Sequence, residues 1–187
     1  MTYTVGYIVG SLSQKSINRT LALALSRLAP PELRLTEIPI GELPLYSHDH
    51  DLDYPVVAQE FKDAIKASDA LLFVTPEYNR SIPGALKNAI DWATRPYGSN
   101  ALNGKPAAII GASPGPISTA VAQQHLKSIL SFTNCPVLGQ PEAYIRFTEG
   151  LIDDEGDIQV PSTAEFLTGY MRAFTAHIRR HHDIPDL

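Results

Sequence analysis

Five times along this chain a short strand-like run is followed by a segment whose apolar residues recur at helical spacing. Two of the runs, Ala70-Leu71-Leu72-Phe73-Val74 and Ala107-Ala108-Ile109-Ile110, are apolar without interruption. A strand that is apolar on both sides must be covered on both sides, and strict strand-helix alternation does this by laying helices over the two faces of a parallel sheet. The runs predict strands over 3–9, 33–38, 69–75, 106–112 and 137–147. The periodic segments predict helices over 17–28, 56–67, 84–93 and 118–131, and a last one striped by Phe166, Leu167, Tyr170, Met171, Phe174 and Ile178. The fold class is therefore α/β, three layers, with a five-stranded parallel sheet over residues 1–187 as a single domain. In sheets of this kind ligands bind beyond the carboxyl ends of the strands, where strand order reverses, so the loops 10–18, 76–83 and 111–116 should converge. The two long polar connections, 39–55 and 148–161, are candidates for mobile flaps.

Composition narrows the partners. With 44% hydrophobic and 19% charged residues the chain can build a core, and no apolar run approaches the roughly 20 residues of a bilayer span. A net charge of −5 with dispersed basic residues gives no footprint for nucleic acid. The first ten residues carry neither a secretory nor a transit signal, from which a cytoplasmic location is expected. The single cysteine, Cys135, has no disulfide partner and reads as a small buried hydrophobe.

The first strand-end loop, Gly10-Ser11-Leu12-Ser13-Gln14-Lys15-Ser16-Ile17-Asn18-Arg19, gathers hydroxyls, a lysine and an amide at a helix start. Backbone N–H groups and the helix dipole make such a place an anion site, and short hydroxyl side chains wrap a phosphate monoester. The alternative reading is that Ser16 only caps the helix. Neither GxxxxGK[ST] nor GxGxxG can be written across the loop, which disfavours a triphosphatase or a dinucleotide fingerprint. The second loop, Pro76-Glu77-Tyr78-Asn79-Arg80-Ser81-Ile82-Pro83-Gly84, combines an aromatic, an amide and two prolines. That suits a flat ring stacked on one face and held by backbone groups, against the plainer reading of Tyr78 packed on its own helix and Arg80 solvated. Arg80 should lie at the mouth of the pocket. The third loop, Gly111-Ala112-Ser113-Pro114-Gly115, matches GxSxG, but a nucleophile elbow needs a backbone N–H after its serine and Pro114 has none. Ser113 is better read as a ligand hydrogen bond. His48 and His50 interleave with acidic residues that lack a coordination pattern, so no metal is expected.

The segments Gly10-Ser11-Leu12-(x)3-Ser16-(x)-Asn18-Arg19 and Pro76-Glu77-Tyr78-Asn79-(x)-Ser81-(x)-Pro83-Gly84-(x)-Leu86-Lys87-Asn88-Ala89-Ile90-Asp91-Trp92 resemble the NAD(P)H-dependent FMN reductase family, which includes quinone, chromate and azo-dye reductases. The resemblance implies a flavodoxin-like fold, bound FMN, NADPH or NADH as electron donor, and a small-molecule acceptor such as a quinone. It implies that Ser11, Ser13, Lys15, Ser16, Ile17 and Asn18 hold the phosphate, with Ser11, Ser16 and Asn18 foremost. Pro76, Glu77, Tyr78, Asn79 and Arg80 would line the ring and ribityl chain, and Ser113 would reach the ring's far edge. Many relatives have arginine in place of Ser13 and an aromatic in place of Arg80, which shifts weight to Lys15 and leaves the outer face more cationic. No side chain need act as a catalytic nucleophile, because the flavin carries the redox chemistry. A homodimer or homotetramer is implied, with Ile90 and Trp92 expected beside the site. The rival readings are an electron carrier and a flavin-binding regulator.

Overall fold

The computed structural model describes residues 1–182. The elements follow in the order β1 (Tyr3–Val9), α1 (Ile17–Leu28), β2 (Leu33–Glu37), a 3₁₀ turn (His48–Asp51), α2 (Val56–Ala67), β3 (Ala70–Val74), α3 (Gly84–Ala93), β4 (Ala107–Ser113), α4 (Ala120–Phe132), β5 (Ala143–Arg146) and α5 (Pro161–His182). All strand pairs are parallel, in the order β2-β1-β3-β4-β5. Every residue of β3 is buried, as an uninterrupted apolar strand requires. Val5, Val9, Leu72 and Ile110 face α1 and α5, where Leu21, Leu25, Met171 and Phe174 cover them. Ile8, Phe73 and Ile109 face the other way, under Phe61, Ile65, Leu86 and Leu126 of α2, α3 and α4. Because β1 lies between β2 and β3, strand order reverses between β1 and β3, and the crevice at their carboxyl ends is where a ligand is received.

The packing corrects the expected strand and the expected place of Ile90 and Trp92, and it shows what each long connection touches. The strand expected over 137–147 is two pieces. Leu138 donates its N–H to the Ala107 carbonyl at 2.8 Å beside the start of β4, and the ladder resumes only at Ala143, opposite Ile110. Between them stands Pro141, which has no N–H for the ladder. The 39–55 connection is pinned to α3. The Trp92 indole N–H and the Asn88 amide donate to the Pro44 carbonyl at 2.7 and 3.0 Å. Tyr54 donates to the Trp92 carbonyl at 2.6 Å, and the Tyr46 and Tyr54 rings stand edge-on to the indole at 5.0 and 5.1 Å. That arrangement buries Trp92 and Ile90 in the core instead of presenting them beside the site. The later connection is likewise tied down, with Arg27 of α1 donating to the Glu155 carbonyl at 2.6 Å and the Asp157 carboxylate at 2.7 Å.

Cys135 is buried, its thiol turned toward the Lys105 carbonyl at 2.9 Å and pushed up to about 12 by burial. Among the described residues no helix is long and apolar enough to cross a membrane.

Candidate functional site

Ser16 caps α1: its backbone is extended and its hydroxyl accepts from the Arg19 N–H at 3.3 Å. The N–H groups of Ile17 and Asn18, first in the helix, have no intrahelical acceptor and turn their positive ends toward the loop. Ser11 is buried and accepts from the Ser13 N–H at 3.3 Å, which curls the loop over the helix start. Asn18 does something the sequence did not disclose. Its amide donates to the Ala112 carbonyl, and its amide oxygen accepts from the Ala112 N–H, both at 2.9 Å and fully buried. The residue thus clamps α1 to the end of β4, and one amide hydrogen remains for a ligand. Gly111 lets the neighbouring strand come close, since a Cβ there would lie 2.1 Å from the Thr75 carbonyl oxygen.

The second loop is a two-residue hairpin. Tyr78 and Ser81 exchange backbone bonds at 2.9 and 3.0 Å across Asn79 and Arg80, whose φ angles are +51° and +62°. Its base is locked by Glu77, whose side chain is only 6% exposed. One carboxylate oxygen accepts from the Val121 and Ala122 N–H groups at the start of α4, both at 3.0 Å. The other accepts from the Arg80 guanidinium at 3.0 Å. Ser81 lies 3.1 Å from the His125 ring nitrogen one turn further along α4. The hairpin is therefore fastened to α4 at two levels, with Tyr78 half out in solvent at its edge.

The three loops enclose a cleft of about 240 Å³. From the first loop it is lined by Ser11, Ser13, Lys15, Ser16, Ile17 and Asn18, from the second by Pro76, Glu77 and Tyr78, and from the third by Ser113. Ala112 and Pro114 complete the wall; they flank Ser113 at the strand end, and that adjacency was the available signal. Asn79 and Arg80 stand outside the lining at the hairpin tip, with the Arg80 side chain turned back onto Glu77. Ser113 accepts from the Gly115 N–H at 3.3 Å and has no base beside it. The cleft offers hydroxyls and N–H donors at one end and a proline-tyrosine shelf at the other. Among the described residues its lining brings no paired acid and base together, which fits a site whose redox chemistry a bound group would carry.

The sequence profile of NADPH-dependent FMN reductase matches residues 3–150. The chain belongs to that family. It is 47% identical over 179 residues to a 2-hydroxy-1,4-benzoquinone reductase of Burkholderia sp, covering 96% of this chain and 98% of the relative. It is 44% identical over 178 residues to a quinone reductase of Pseudomonas putida, covering 95% of each. Among solved structures it is similar to FerB, a flavoenzyme NAD(P)H:(acceptor) oxidoreductase from Paracoccus denitrificans, with a TM-score of 0.93 and 46% identity over 96% of this chain and 99% of that one. A flavodoxin, WrbA-like protein from Agrobacterium tumefaciens, at 18% identity and a TM-score of 0.60, shares the fold. The flavodoxin-like architecture implied by the sequence is thus established for this member of the family.

Proposed function

We propose that the protein is an FMN-dependent NAD(P)H:acceptor oxidoreductase that passes two electrons from NADPH or NADH to a quinone or a similar small acceptor. The observation that carries this reading is the cleft at the β1/β3 reversal, where a hydroxyl-rich helix start faces a stiff aromatic shelf. Its donor set fits FMN. The Ser11, Ser13 and Ser16 hydroxyls, the Ile17 and Asn18 N–H groups and the Lys15 ammonium suit a phosphate, because they offer donors without a competing carboxylate. The one carboxylate in the lining, Glu77, is already taken up by two N–H groups and Arg80. Pro76 and Tyr78 would lie against the ring, and Ser113 would meet its far edge.

Bound FMN supplies the redox chemistry, taking up a hydride from the nicotinamide and giving two electrons to the acceptor. What this chain supplies is position. Asn18 fixes the phosphate loop to β4 and Glu77 fixes the ring shelf to α4, so the two ends of the cleft are held at a constant spacing. Tyr78 is half exposed at the edge of the shelf, where a bound ring would remain within reach of nucleotide and acceptor.

Assembly as a homodimer or homotetramer belongs to this proposal. Leu45, Leu52 and Val56 are exposed apolar side chains along the pinned 39–56 stretch, and Tyr97 is exposed as well; such groups favour cover by a second copy. Light scattering should give at least twice the 20.4 kDa chain mass at micromolar concentration. A monomer would remove this part.

The activity is tested by anaerobic mixing of FMN-loaded protein with NADH and, separately, with NADPH. At least one nucleotide should bleach the flavin absorbance, and benzoquinone should restore it. Flavin that stays oxidised with both nucleotides would point instead to an electron carrier or a regulator.

A further inference from the structure

Arg80 occupies a place that does not suit it. It is the second residue of the hairpin turn, at a φ of +62°, where glycine is the ordinary choice because a side chain crowds its own backbone there. Its ion pair with Glu77 does not account for the choice. One Glu77 oxygen is already held by the Val121 and Ala122 N–H groups, and the other takes a single guanidinium N–H at 3.0 Å. The remaining N–H donors of the guanidinium meet no acceptor among the described residues. The pair is also lopsided, with the Glu77 side chain 6% exposed and the Arg80 side chain 66% exposed. Ion pairs open to water contribute little to stability, so a strained arginine here points to a ligand outside the chain.

The place of the guanidinium decides what it can meet. Glu77 and Tyr78 line the cleft, and Arg80 is one hydrogen bond from that wall at its rim. Because the carboxylate is held inward on α4 and the guanidinium is left outward, an arriving molecule meets the cation first. Tyr78 stands half exposed two positions away, which brings an aromatic edge and a planar fork of donors to the same rim. Such a fork matches the paired oxygens of an acid group on a ring. We propose that Arg80 selects acidic quinones as acceptors, pairing with an ionised carboxylate, sulfonate or enolate on the ring. The inference rests on the oxidoreductase reading and names its acceptor class. In the reaction NAD(P)H and one proton convert the quinone to the hydroquinone: two electrons and two hydrogens reach the carbonyl oxygens, and NAD(P)⁺ leaves. The ionised substituent is untouched, so the same contact holds substrate and product.

The test compares 1,4-naphthoquinone-2-sulfonate with the neutral 2-methyl-1,4-naphthoquinone in the FMN-loaded wild type and in Arg80→Gln, at a saturating level of the nucleotide that reduces the flavin. Glutamine keeps an N–H donor for Glu77 and removes the charge. The variant should lose about tenfold in kcat/KM for the sulfonate, chiefly through KM, and no more than about twofold for the neutral quinone, as loss of a charged hydrogen bond implies. Arg80→Lys, which keeps the charge but not the fork, should fall between the two proteins. Raising salt from about 0.02 to about 0.5 M should lower the wild-type kcat/KM for the sulfonate toward that of the glutamine variant. Equal losses for the two quinones, or a loss that appears in the KM for the nucleotide instead, overturns the inference while the oxidoreductase reading stands. A wild type that reduces neither quinone overturns that reading and the inference with it.

Discussion

Replacing Asn18 by leucine should loosen the site from a distance. The wild-type amide makes two bonds of 2.9 Å to the N–H and carbonyl of Ala112, and Asn18 is 1% exposed. Leucine keeps the branched shape, with bulkier methyl groups, but leaves both Ala112 groups buried without partners. Each unsatisfied buried group costs about 1–3 kcal/mol, so the pair comes to about 2–6 kcal/mol, offset by about 2 kcal/mol for burying the new apolar side chain. A net loss of up to about 4 kcal/mol is expected in urea denaturation of the flavin-free protein, which removes ligand stabilisation from the comparison. FMN affinity should fall as well, because α1 is no longer registered against the Ser113 loop. Asn18→Asp keeps the acceptor for the Ala112 N–H but sets a carboxylate oxygen against the Ala112 carbonyl, so it too should destabilise. If Asn18→Leu unfolds at the wild-type midpoint with unchanged FMN affinity, the clamp does not position the loops.

Ser16→Asp should give a folded but colourless protein, since aspartate still caps α1 while a carboxylate about 4 Å from the phosphate repels it by about 4 kcal/mol per unit charge at an effective dielectric near 20; retention of FMN at wild-type occupancy in the visible spectrum would contradict this. Arg80→Gly should raise the unfolding free energy by up to about 1 kcal/mol, because Arg80 holds a φ of +62° that glycine adopts freely and its Glu77 ion pair is largely exposed on the arginine side; a clear loss of stability would show that the ion pair outweighs the strain. His177 is held below its ordinary pKa, first by burial, while its ring nitrogen bonds the Pro136 carbonyl at 3.0 Å. A pKa lowered in the folded state means that the unfolded chain takes up the proton first, so stability falls as pH drops below about 6.5, and His177→Gln should flatten that slope in denaturation series between pH 8 and 5.

The layers were legible because buried parallel strands leave uninterrupted apolar runs such as Ala70–Val74, which neither loops nor half-exposed strands imitate. The over-long strand at 137–147 shows the limit of that signal. Val137 and Leu138 are apolar because they pack beside β4, but pairing is a property of the partner strand and not of the run. The convergence of the loops could be read from alternation, whereas the strand order that locates the reversal could not. At the site, the residue types that suit a phosphate were visible, but Asn18 and Glu77 each had two possible partners. A carboxamide at a helix start serves a ligand or a backbone equally well, and only the approach of Ala112, 94 positions away, decides where most of its capacity goes. Glu77 looked like a ring contact because the start of α4, which it caps, lies more than 40 positions further along the chain. Trp92 was expected beside the site because the carbonyl of Pro44 that satisfies its N–H belongs to a loop with no periodicity.

The central claim is that the helix start at Ser16 grips a flavin by its phosphate, and a comparison of FMN with riboflavin tests it most directly. Both carry the same ring and ribityl chain, so fluorescence titration of the flavin-free protein isolates the phosphate. Charge-assisted bonds to the Ser11, Ser16 and Lys15 groups and to the first N–H groups of α1 should together contribute about 3 kcal/mol or more, making FMN at least about 100-fold tighter than riboflavin. Equal affinity for the two would contradict the account, since the loop would then contribute nothing that a phosphate requires.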